Sequence, residues 1–168
     1  NEHLGNVPRG LSEIEFLMRQ HDLDLSEPAD LRTHLLTQAI AYPTGTLIGY
    51  GSTAGDIYLL ALGGEFGATM LEDSTPEIHR AHGIIGNSED YRESAWYKRG
   101  LGATTPTWTT TYEFSNGRAG VSAIMAHGGD AKNPPLGVFH IDIPLSAMED
   151  WLGTMKIVGQ GHVFLAHH

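Results

Sequence analysis

Residues 90–98, Asp90-Tyr91-Arg92-Glu93-Ser94-Ala95-Trp96-Tyr97-Lys98, decide the fold together with three downstream stretches in fixed order. Pro106-Thr-Trp-Thr-Thr-Thr-Tyr112 comes next, then the apolar run Gly120 to Ala126, then Leu136-Gly-Val-Phe-His-Ile-Asp-Ile-Pro-Leu145. Ser88 serves as N-cap of a helix reaching about Leu101. Glu89 and Asp90 fall in its first turn, where carboxylates meet the positive end of the helix dipole. Three strands come after it: Thr107 to Phe114, Gly120 to His127 and Gly137 to Ile143. Asn116-Gly117 turns the first into the second, and Asp130 to Pro135 joins the second to the third. Ser146 to Met155 reads as a short helix and Gly161 to Ala166 as a final strand.

Upstream, Leu11, Ile14, Leu17 and Met18 mark one face of a helix over Leu11 to Gln20, with Gly10 or Ser12 as its cap. Pro28 to Ala41 is a second helix, ended by Tyr42-Pro43. Leu47 to Tyr50 and Ile57 to Leu62 flank the turn-rich Gly51 to Asp56 and predict a hairpin. Gly67 to Leu71 suits a further strand. Glu72 to Ser88 is polar and irregular and predicts no element.

Strands grouped in hairpins, with helices before and between them, predict an α+β fold on an antiparallel sheet. The 168 residues suit one domain with a sizeable core. Net charge is −10 with ten Lys plus Arg, so no basic stripe exists to neutralise nucleic-acid phosphates, and no nucleic-acid partner is expected. The chain has no Cys, which excludes disulfides and thiolate metal sites. No apolar run reaches the roughly 18 residues that a spanning helix needs.

The ordered set of motifs resembles the Cache family, the PAS-like extracytoplasmic sensor domains of bacterial transmembrane receptors. It runs from an acidic residue and a basic helix start through Trp96-Tyr97 and a Trp-containing strand ending in Tyr112. It closes on Gly137-Val-x-x-x-Asp142, and the resemblance covers about residues 31–158. It implies a PAS-like antiparallel sheet flanked by helices, in a dimeric, membrane-anchored parent protein. Residues 1–158 then form one sensor module, the membrane-distal one of a double Cache receptor. They divide into a helical region over 1–42 and a PAS-like core over 43–158. Residues 159–168 open a following module or form a tail, and the chain reads as a fragment of a longer receptor. Its own activity would be sensing rather than catalysis.

The same resemblance implies a small-molecule site. Trp96 and Tyr97 would offer ring faces and a hydroxyl, suited to an ammonium group. As plain residues they would serve equally well as core. Alternation places His140 and Asp142 on one face of their strand and Phe139, Ile141 and Ile143 on the other. A carboxylate there is costly unless paired. Asp142 thus caps a turn or, as in amino-acid-binding relatives, accepts a ligand amine, with Tyr112 beside it. His140 either fills space or acts as a pH-sensitive neighbour of Asp142. Where those relatives carry an Arg that holds the ligand carboxylate, this chain has Ser94. Arg92 lies one turn before Trp96 and is the candidate substitute. The expected ligand is therefore an amine or an amino-acid-like molecule, with the amine favoured.

No cofactor or metal is expected. His79-x-x-His82 and His140-x-Asp142 each supply two donors without a third. Gly49-x-Gly51-x-x-x-Gly55 leads into a β-rich segment, not the helix that a dinucleotide site requires. Two alternatives remain open on the sequence. One is a small secreted metal-dependent hydrolase, which needs His79, His82, His127 or His140 to converge. The other is a ligand-free spacer, which needs the space behind Trp96 to be filled.

Overall fold

The computed structural model describes residues 2–21, 46–62, 78–82, 90–130 and 132–154. The elements are α1 (Glu2–His21), β1 (Thr46–Ser52), β2 (Asp56–Leu62), β3 (Ile78–His82), a 3-10 turn (Tyr91–Glu93) and α2 (Ala95–Gly100). They continue with β4 (Thr107–Trp108), β5 (Tyr112–Glu113), β6 (Ala119–His127), β7 (Gly137–Pro144) and α3 (Leu145–Thr154). The strands form one seven-stranded sheet in the order β3-β2-β1-β7-β6-β4, with β5 also on β6. Every pairing is antiparallel, as the α+β reading predicts.

Period-two alternation gives the sheet two buried faces. Ile48, Tyr50, Tyr58, Leu60, Phe139, Ile141 and Ile143 point one way. There they meet Val7, Leu11, Ile14 and Met18, which recur at helical spacing on α1. Burying each such side chain stabilises the fold by about 1.5–3 kcal/mol. Leu47, Ile57, Leu59, Ile124 and Val138 point the other way and pack with Tyr91, Tyr97 and Phe114. On that face α2 lies close to β7. A Cβ added at Gly100 would sit 2.3 Å from Val138 Cγ1, so only glycine permits the approach.

Four expectations need correction. The first helix starts at Glu2, and Ser12 lies inside it, donating from Oγ to Pro8 O at 3.2 Å instead of capping. Residues 78–82, expected to be irregular, form β3 along β2. The single helix expected up to Leu101 is two elements: Asp90 caps the 3-10 turn, and Ser94, in extended conformation, caps α2.

The fourth concerns the strand expected over Thr107 to Phe114. Thr107 pairs with Ile124 and Trp108 with Ala123, so an unbroken ladder would set Tyr112 opposite Ala119. Tyr112 stands opposite Gly120 instead. The extra residue is a bulge, and it moves Tyr112 to the face away from α1. The helix expected over Pro28 to Ala41, the strands expected over Gly67 to Leu71 and Gly161 to Ala166, and Ser88 lie outside the described residues.

Candidate functional site

On the face opposite α1, a cavity of about 460 Å³ opens between the sheet, α2 and β5. Its floor is β7 and β1, with His140, Asp142 and Leu47. Its aromatic walls are Tyr91, Trp96, Tyr112 and Phe114.

Asp142 is buried, and directed polar side chains surround its carboxylate. Ser122 Oγ donates to Asp142 Oδ1 at 2.5 Å. That uses the one hydroxyl proton of Ser122, so the 2.7 Å contact between Tyr112 Oη and Ser122 Oγ must be donated by Tyr112. Thr109 holds Ser122 in place: its Oγ1 accepts from Ser122 N at 2.9 Å, and its own N–H donates to Ser122 O at 2.8 Å. Burial, and then the charge of Asp142, keep the Tyr112 phenol well above its ordinary range, so it stays a neutral donor.

His140 Nδ1 lies 3.0 Å from the same Asp142 oxygen. An ionised carboxylate only accepts, so Nδ1 carries the hydrogen. The ring is clamped. Trp96 covers it with ring centroids 4.4 Å apart, and beneath it a Cβ on Gly49 would fall 2.2 Å from Nε2. Gly49 and His140 are register partners on β1 and β7, so glycine there makes room for the imidazole. His140 Nε2 is buried without a hydrogen-bond partner. Both bonds to Asp142 fall on Oδ1, and neither uses Oδ2.

Of the residues singled out from sequence, Trp96, Tyr112, Asp142, Ser94 and His140 line one cavity. Arg92 and Tyr97 do not. Arg92 is committed to Asp90: Nε donates to Oδ1 at 3.0 Å and Nη2 to Oδ2 at 2.5 Å, while Nη1 reaches Thr53 O at 3.4 Å. It staples the turn to the β1–β2 hairpin. Tyr97 is buried edge-on between Tyr91 and Trp96, with its hydroxyl unpartnered. Ser94 donates from Oγ to Tyr91 O at 2.5 Å and caps α2, so its proton is already used.

Sequence reasoning missed Tyr91, Glu113 and Phe114. Tyr91 forms a wall, and its hydroxyl reaches Ser52 O at 2.6 Å and Asp56 O at 3.0 Å. Burial raises its phenol to about 12, so it too stays neutral. None of the described lining residues is Lys or Arg.

His127 and His140 do not converge. His127 packs on Tyr50 and Phe139, on the α1 side of the sheet, whereas His140 faces the cavity. His79 and His82 sit on β3, at the far edge, with β2 and β1 between them and β7. Among the described residues no three His, Cys, Asp or Glu side chains gather as metal ligands.

No family model matches the sequence, and no curated protein does either. Solved structures do match. The ligand-binding domain of the Campylobacter jejuni chemoreceptor Tlp3, in complex with L-valine, aligns at TM-score 0.62 and 13% identity over 90% of this chain and 56% of its own. The extracellular domain of a histidine kinase, soHK1S-Z6, aligns at TM-score 0.61 and 14% identity, covering 89% of this chain and 56% of its own. The ligand-binding domain of the Pseudomonas fluorescens chemoreceptor CtaA, with L-valine, aligns at TM-score 0.58 and 16% identity, over 89% and 57%. The fold is therefore that of the sensory domains of chemoreceptors and histidine kinases, as the Cache resemblance predicts. The chain spans a little over half the length of these structures.

Proposed function

We propose that this domain is the extracytoplasmic ligand-sensing part of a membrane-anchored, dimeric signalling receptor, and that it binds a small cationic amine. One observation carries the reading. The cavity joins aromatic walls to a buried carboxylate and contains no described Lys or Arg. Aromatic faces attract ammonium groups by about 0.5–2 kcal/mol. Asp142 Oδ2 supplies a charge-assisted acceptor, and Glu113 adds a second carboxylate to the lining.

An α-amino acid also needs its carboxylate held. Ser94 has spent its proton on Tyr91 O, and Arg92 is locked on Asp90. That favours the amine over the amino acids that similar domains carry, L-valine among them. An open cavity against Trp96 counts against the filled spacer, and separated histidines count against the hydrolase. Residues 1–158 would act as one module, with a ligand shifting its conformational equilibrium only by its differential affinity for the two states.

Native mass spectrometry of gently purified protein tests this. A retained amine, depleted in Asp142→Asn, is expected. A retained anion, or a ligand held equally by Asp142→Asn, would overturn it.

A further inference from the structure

We infer that ligand binding in this cavity is proton-linked through His140, so that acidification expels a cation held by Asp142. The inference rests on the cationic-ligand reading above. His140 acts through Asp142 and is a positioning residue. Its Nδ1–H fixes Oδ1 at 3.0 Å, which leaves Oδ2 for the ligand.

Protonation would change two things. It would place a positive charge beside the carboxylate that receives the ligand cation. It would also create an N–H at Nε2, which is buried without a partner and faces the Gly49 backbone at a distance that leaves no room for a Cβ. The ring cannot retreat upward without displacing Trp96, whose centroid is 4.4 Å away. An imidazolium here therefore opposes a second cation by charge and strains the ligand's aromatic wall.

The neighbouring elements offer little to buffer this charge. β1 and β2 contribute Leu47, Gly49, Ile57 and Leu59, and β6 contributes Ser122 and Ile124, none of them titratable in this range. Trp96 comes from α2. Tyr112 stays neutral, Glu113 lines the cavity beyond it, and Asp90 is paired with Arg92.

Linkage requires reciprocity: if the proton weakens the cation, the cation weakens the proton. Calorimetric titration with tetramethylammonium chloride, whose charge is independent of pH, reads this between about pH 5.5 and about pH 8. The dissociation constant should rise toward low pH by up to about tenfold per pH unit, with proton release that depends on the buffer's ionisation enthalpy. His140→Asn keeps an N–H for Asp142 but cannot ionise, so its affinity should be flat across the range.

In unmodified protein, the NMR titration midpoint of the His140 Cε1 proton should fall when tetramethylammonium is added. That measurement stands even if the variant does not fold. Binding that is independent of pH, a midpoint that does not move, or the same profile in His140→Asn would refute the inference alone. Failure of both tetramethylammonium and isobutylamine, which is cationic throughout this range and carries N–H donors, to bind at any pH would refute the cationic-ligand reading and this inference with it.

Discussion

Replacing Gly49 with Ala tests the clamp without any knowledge of the ligand. The new methyl would fall 2.2 Å from His140 Nε2, 2.8 Å from His140 Cε1 and 2.8 Å from Leu59 Cδ2. Real carbon contacts lie near 3.5–4.0 Å, so the imidazole must shift by about 1 Å or more. Trp96 blocks the opposite side, so the shift stretches or breaks the 3.0 Å bond to Asp142. Overpacking of this kind costs about 1–3 kcal/mol. A lost hydrogen bond to a charged group adds up to about 1.5–3 kcal/mol. Against this, Ala lowers the unfolded chain's entropy, which contributes about 0.4–1 kcal/mol of stability. If the bond breaks, the net loss is about 1.5–5.5 kcal/mol. For a domain of this size that lowers the Tm by roughly 2–4 °C per kcal/mol, read by thermal denaturation at neutral pH. A Tm that is unchanged or higher in Gly49→Ala would refute the clamped geometry of His140.

Other perturbations reach other parts of the site. Asp142→Asn should keep the fold, because an amide oxygen still accepts from Ser122 and His140, yet weaken a cationic ligand by about 1–2 kcal/mol; unchanged affinity by calorimetry would reject the site. Ser94→Ala should cost about 1 kcal/mol in urea unfolding through the lost cap of α2, and a neutral result would mean that the cap carries no weight. His127 gives a pH dependence that is separate from the ligand site. Burial lowers its pKa despite the attraction of Glu15 at 3.8 Å, so the unfolded state, titrating near about 6.5, binds the proton more readily. Stability should therefore be full above about pH 6.5 and fall below it, by up to about 1.4 kcal/mol per pH unit, and His127→Phe should flatten that slope.

What the sequence reveals is what local periodicity controls. The alternation on β7 places His140 and Asp142 together opposite Phe139, Ile141 and Ile143, and the structure agrees. The α1 face follows from Leu11, Ile14 and Met18, although Val7 extends it one turn earlier. Tyr112 reaches the cavity only through a one-residue bulge against β6, and nothing in Thr109-Thr-Thr-Tyr112 marks that bulge. The choice between Tyr91 and Tyr97 as cavity wall depends on the chain breaking at Ser94. A Ser just before Ala95-Trp96-Tyr97 is a legible N-cap signal, and reading it would have ended the first helix there. β3 is illegible because Ile78-His-Arg-Ala-His82 has little apolar alternation; its pairing with β2 defines it.

The preference for an amine over its amino acid is tested most directly by matched pairs that differ only in the carboxylate: isobutylamine with L-valine, and agmatine with L-arginine. Calorimetry on the same protein sample compares them. With Asp142 intact, Ser94 spent as a cap and Arg92 locked on Asp90, each amine should bind at least as tightly as its amino acid. An amino acid that binds more than about tenfold tighter than its amine, the scale of one charge-assisted contact, would contradict the reading and require a cationic partner for the carboxylate.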